Sequence, residues 1–182
     1  MGSGRPGRRV PGVAIAFLLA GTAPALAACP EGRDAYRESQ GGLAFEALSD
    51  PRLGAVVCYP RTVFRKAGEQ GGRIRFVSDD GLAWFTVSRE PEGADRSAQA
   101  AMDQALAELE AGRAEVTYRR QVGDWFVVTG FHGEQGDRIF YRKTIIGPDG
   151  AADTLLIDFP RDQRPFYYDM VERMSWSFRS KG

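Results

Sequence analysis

Between Glu115 and Phe159 four alternating segments, "EVTYRRQ", "DWFVVTGF", "RIFYRKTII" and "DTLLIDF", follow one another closely enough to form a meander. Strands adjacent in sequence usually pair, so these four predict an antiparallel sheet. Within the second, Trp125, Val127 and Phe131 fall on one face and Phe126 and Val128 on the other. A strand apolar on both faces is covered on both sides, so whatever packs here must form layers above and below the sheet.

The rest of the chain supplies those layers. "RIRFVSDDGLAWFTVS" reads as a hairpin: Ile74 and Phe76 alternate with Arg73 and Arg75, Asp80-Gly81 supplies the turn, and Phe85 and Val87 alternate with Trp84 and Thr86. An amphipathic helix from about Asp95 to Ala111 places Ala98, Ala101, Met102, Ala105, Leu106 and Leu109 on one face, with Asp95 or Ser97 as cap and Gly112 at its end. A second helix spans about Asp162 to Met174, with Pro165 in its first turn, where the missing donor costs nothing. "SWSFRS" closes the chain in extended form, with Trp176 and Phe178 expected against the body. "AVVCYPRTVF" is an extended segment that Pro60 confines to a sheet edge or strand start. The fold expected is α+β: a mainly antiparallel sheet of about six to seven strands with helices on its faces.

The first 27 residues have the layout of an export signal: Arg5, Arg8 and Arg9, the apolar run "VAIAFLLAGTAPALA", then small residues at a cleavage point. The run falls short of the roughly 20 apolar residues of a membrane span, so no transmembrane segment is expected in the mature chain. Removing it leaves 21 basic against 24 acidic residues, a balance that argues against nucleic acid as partner. The organisation expected is a cleaved signal at 1–27, an N-terminal arm at 28–56 with at most one short helix, and one domain at 57–182.

"ALAACP" admits two readings. Cleavage after Ala27 leaves Cys29 to pair with Cys58, the only other cysteine, as exported chains favour. Alternatively Leu26-Ala27-Ala28-Cys29 is a lipobox and Cys29 carries a lipid anchor; Pro30 directly after the cysteine is an awkward neighbour for that processing. The first reading gives a periplasmic or secreted protein, the second an anchored lipoprotein.

Candidate chemistry is sparse. His132, the single histidine, lies in the glycine-rich "GFHGEQGDR"; it reads as a solvated turn residue or as a lone general base or partner contact. One histidine and two paired cysteines do not make a zinc site, and neither Asp79 with Asp80 nor Asp149 with Asp153 has EF-hand spacing. No metal and no cofactor is expected. Arg119, Arg120, Arg138, Arg142, Lys143, Arg161 and Arg164 stud the second half among acids, as a solvated face or an anionic-partner site. Trp84, Trp125 and Trp176 serve for packing or for stacking on sugars. The residues singled out for interaction are Trp84, Asp79, Asp80, His132 and Arg138.

Three local features, Tyr59-Pro60 followed by Phe64, the Asp80-Gly81 hairpin, and the closing "MVERMSWSF" leading into Ser177-Phe178, resemble the PsbP-like domains. That group shares its α-β-α sandwich with a Ran-binding nuclear import factor family. The resemblance covers most of residues 57–178 and implies an accessory or binding role, since its members are known chiefly as assembly or interaction partners. It carries over no site residue, and nothing here transfers the photosystem II duty of the plant members. The function expected is a non-catalytic exported interaction domain for an unknown envelope protein. The alternatives are a small hydrolase using carboxylates or His132, and a periplasmic carrier of a small ligand or glycan.

Overall fold

A computed structural model describes residues 1, 29, 43–91 and 97–181. The export signal, except Met1, therefore lies outside the described residues, as do 30–42 of the arm and the linker 92–96. Among the described residues ten strands form in chain order: β1 (Phe45–Leu48), β2 (Ala55–Pro60), β3 (Phe64–Gln70), β4 (Arg73–Ser78), β5 (Trp84–Glu90), β6 (Glu115–Val122), β7 (Trp125–His132), β8 (Arg138–Ile146), β9 (Ala152–Pro160) and β10 (Arg179–Ser180). Helix α1 (Ala98–Ala111) separates β5 from β6, and α2 (Arg164–Ser177) separates β9 from β10.

Strands β3 to β9 build one sheet in the order β3-β4-β5-β9-β8-β7-β6, antiparallel at every pairing. The expected hairpin and meander are both present, and the last strand of the meander docks on the hairpin, Trp84 opposite Asp158 and Glu90 opposite Ala152. This is the α+β sandwich that the sequence predicts, with seven strands in the main sheet. A second, three-stranded sheet of order β1-β2-β10 lies against it. β1 falls in the stretch expected to be irregular; four residues bounded by Ser49 and Asp50 give too short a pattern to read alone, and pairing with β2 sets them.

Alternation divides the core in two. One face of the main sheet carries Ile74, Phe76, Phe85, Val87, Leu155 and Ile157 against α2 and β2. Phe76 and Phe85 stack there with ring centroids 4.5 Å apart, and Phe64 meets Phe85 edge-on at 5.1 Å. The opposite face carries Phe126, Val128, Phe140 and Ile146 under Ala98, Ala101, Met102 and Ala105 of α1. Helix α1 begins at Ser97, whose Oγ accepts from the Ala100 N–H at 3.1 Å and satisfies an otherwise orphaned donor. Helix α1 covers β6, β7 and β8.

One placement differs from expectation. α2 continues to Ser177, so Trp176 rides on the outside of its last turn, 79% exposed, and only Phe178 is buried. Helical rotation separates residues that an extended segment would have held by alternation. Ser177 fixes the junction: its Oγ donates to the Met174 carbonyl at 2.8 Å and accepts from the Cys58 N–H at 2.8 Å. Cys58 is also bonded to Cys29, with Cα atoms 5.6 Å apart.

Candidate functional site

Because α1 packs on β6, β7 and β8, the same face of the sheet continues beyond it over β3, β4 and β5. Cross-strand register sets what this continuation shows. Val77 sits opposite Trp84, Arg75 opposite Thr86 and Arg73 opposite Ser88. Gly68 and Gln70 of the edge strand sit opposite Arg75 and Arg73. An open groove of about 660 Å³ runs over these residues, bounded on the inner side by Leu156. The Arg75 guanidinium lies 4.6 Å from the Trp84 ring centroid, a cation–π contact.

At the end of the groove beyond Trp84 lies a buried carboxylate. Asp158 is 2% exposed and takes two cationic or protonatable partners on the same face. His132 Nε2 from β7 contacts Oδ2, and Arg138 from β8 donates through Nε to Oδ1 at 2.6 Å. Arg138 also donates through Nη2 to the Leu82 carbonyl at 2.8 Å, tying the β4–β5 loop to the meander. The loop has its own internal order: Ser78 Oγ donates to Asp80 Oδ1 at 2.5 Å, and that oxygen accepts from the Leu82 N–H at 3.0 Å. These bonds stabilise the anion and hold the Asp80 carboxyl below its usual range, the Ser78 hydroxyl being the larger cause. Gly81, at φ 73°, takes the left-handed position the turn requires. Beside this end, a cleft of about 700 Å³ is lined by Leu82, Arg138, Pro160 and Arg161.

Of the residues singled out from the sequence, His132 and Arg138 meet on Asp158, Trp84 is Asp158's cross-strand neighbour, and Asp80 anchors the loop that Arg138 grips. Asp79 stands apart, exposed and 3.7 Å from Arg65. His132 is not a free turn residue: it ends β7, half-buried against the carboxylate. Arg119 and Arg120 are solvated on the edge strand β6. Lys143 is instead half-buried and donates to the Ser175 and Phe178 carbonyls at 2.8 and 3.0 Å, closing the C-terminus of α2. Asp149 and Asp153 both bind Arg89, so that pair shares a single guanidinium. Among the described residues no cluster of three His, Cys, Asp or Glu could hold a metal ion. None of their helices is long and apolar enough to cross a membrane.

Sequence reasoning missed Asp158 and the Arg73–Arg75 row. A lone acid inside the apolar "LLIDF" was the available signal for the first, and the alternation of "RIRF" for the second.

No family model and no curated protein matches this chain. Solved structures do match in fold. Cyanobacterial PsbP from Synechocystis superposes with a TM-score of 0.59 at 14% identity, over 76% of this chain and 93% of that one. The Saccharomyces cerevisiae Ran-binding protein Mog1p gives 0.54 at 13% identity, over 76% and 96%. A Pseudomonas aeruginosa protein of unknown function gives 0.53 at 11% identity, over 76% and 98%. The fold is therefore the PsbP-like α-β-α sandwich to which the sequence features pointed.

Proposed function

We propose that this chain is an exported, non-catalytic interaction domain that receives a protein of the cell envelope on the open half of its sheet. The observation carrying this reading is the face over β3, β4 and β5, where Arg73, Arg75 and Trp84 stand in an open groove rather than an enclosed pocket. A carrier of small molecules calls for a concave, mostly apolar cavity that surrounds its ligand. A shallow polar surface with an aromatic residue suits a macromolecular partner. That one neighbour of the same fold is a Ran-binding protein agrees with the class and does not name the partner. Export rests on the tripartite layout of residues 1–27 and on the Cys29–Cys58 bridge, which oxidising compartments favour.

The His132–Asp158 pair favours a second reading, a hydrolase, because a histidine oriented by a buried carboxylate is the usual form of a general base. Two measurements separate them. Tagged mature protein is used to capture partners from envelope extract, with identification by mass spectrometry; a stoichiometric, reproducible partner supports the interaction reading. A panel of ester and glycoside substrates is run with wild type and His132→Ala; turnover that disappears in the variant overturns it.

A further inference from the structure

We infer that the groove over β3, β4 and β5 is a receptor for an acidic, extended peptide segment carrying carboxylates on alternate residues. This deepens the interaction reading and rests on it.

Charge comes first. Among the described residues no carboxylate pairs with Arg73 or Arg75, although both are exposed. The acids nearest them are already committed: Glu69 is held by Arg52 and Lys66, and Glu90 is not without a partner. Among the described residues these two exposed guanidinium groups thus have no paired counter-charge. Arg75 stays exposed while its guanidinium lies over the Trp84 ring, and a guanidinium so placed can take a carboxylate through two parallel hydrogen bonds.

Spacing identifies the ligand as a peptide. Arg73 and Arg75 are two residues apart on one strand, and Thr86 and Ser88 two apart on the next, directly opposite them. Each row repeats at about 7 Å, twice the rise of an extended strand. An extended peptide laid along the groove repeats its same-side side chains at that distance, so its carboxylates at i and i+2 reach successive arginine–hydroxyl pairs. The hydroxyls add donors: Thr86 and Ser88 are buried residues, yet both line the groove. The outer wall is open where Gly68 faces Arg75, since a Cβ there would meet nothing within 4 Å.

The test uses the full mature chain and a fluorescein-labelled peptide of alternating glutamate and threonine, followed by anisotropy. Saturable binding that weakens as salt rises is expected. Arg73→Ala and Arg75→Ala should each weaken it on the order of tenfold, the worth of one charge-assisted hydrogen-bonded pair. Gly68→Phe, which removes no charge, should weaken it by closing the wall. All three positions are exposed, so melting temperatures should stay near wild type. Four results overturn the inference: no saturation, binding indifferent to both arginine variants, equal binding of a peptide with its glutamates in one block, or stronger binding of polygalacturonate per carboxylate. The last would assign the groove to an acidic glycan. Failure here is separable from failure of the interaction reading. If envelope capture returns the same partner with wild type and with the Arg73→Ala/Arg75→Ala double variant, the domain binds a partner but not through this groove.

Discussion

Lys143 sits in an environment that a charged side chain usually avoids. Its ammonium lies among the end of α2, the Trp125 ring 5.5 Å away and the core of β8, and burial pushes its pKa below the usual lysine range. The native state therefore binds fewer protons than the unfolded chain between that lowered pKa and the ordinary value of about 10.4, and stability rises with pH across the window. Tyr141 and Tyr167 act in the opposite sense: burial raises both, so they favour the protonated native state and lower stability as pH climbs above about 10. The contribution of Lys143 is isolated by difference. Lys143→Met should be the less stable protein at neutral pH, by about 1–3 kcal/mol, because two carbonyls lose a charged donor. The gap should widen as pH rises toward about 10, since only the wild type gains there. Urea titrations across that range measure it, and a gap independent of pH would contradict the account.

At the scale of elements, the junction of α2 with β10 separates two aromatic residues that the sequence leaves alike. Phe178 is 1% exposed within the core that α2 covers, so Phe178→Ala should cost about 3–5 kcal/mol. Trp176→Ala should stay within about 0.5 kcal/mol of wild type, as surface changes do. Equal losses in thermal or urea unfolding would return Trp176 to the core. The expectation for Trp176 failed because "MVERMSWSF" keeps good helix formers almost to its end, and the stop at Phe178 comes from tertiary contact of Ser177 with Cys58 rather than from a glycine or proline. β4, half-buried on an alternating face, was legible since burial writes itself into period two, and β5 and β7 were legible as apolar runs between turn signals. β3 was not: six of its seven residues are exposed, and "FRKAGEQ" carries no alternation because it is an edge strand with one side in water. The candidate site shows the same division. Residue type drew attention to Trp84, His132 and Arg138. Their convergence on Asp158 depends on the register of β5 with β9 and of β9 with β8, which local sequence does not encode.

For the whole molecule, β2 packs its Ala55 and Val57 into the core shared with the main sheet and bears a disulfide to Cys29 in the segment ahead of β1. Cys58 is 2% exposed, bonded to Cys29 at a sequence separation of 29. Closing a loop of this length removes freedom chiefly from the unfolded chain and contributes about 3–4 kcal/mol on the chain-entropy model. Cys29→Ser and Cys58→Ser break the same bond, so both should destabilise, and by similar amounts beyond any packing loss at the buried Cys58. Adding reductant should bring wild type down to the level of Cys29→Ser. Intact mass of the exported protein should lie about 2 Da below its reduced form, the two thiol hydrogens having left with the bond. The lipid-anchor reading of Cys29 makes a different pattern: a diacylglyceryl adduct on an N-terminal Cys29, release from the membrane in Cys29→Ser alone, and a free Cys58 thiol that alkylates without reductant once the protein is unfolded. That pattern would remove the bridge from the native protein and make a bilayer its first contact, since one cysteine sulfur cannot carry both bonds.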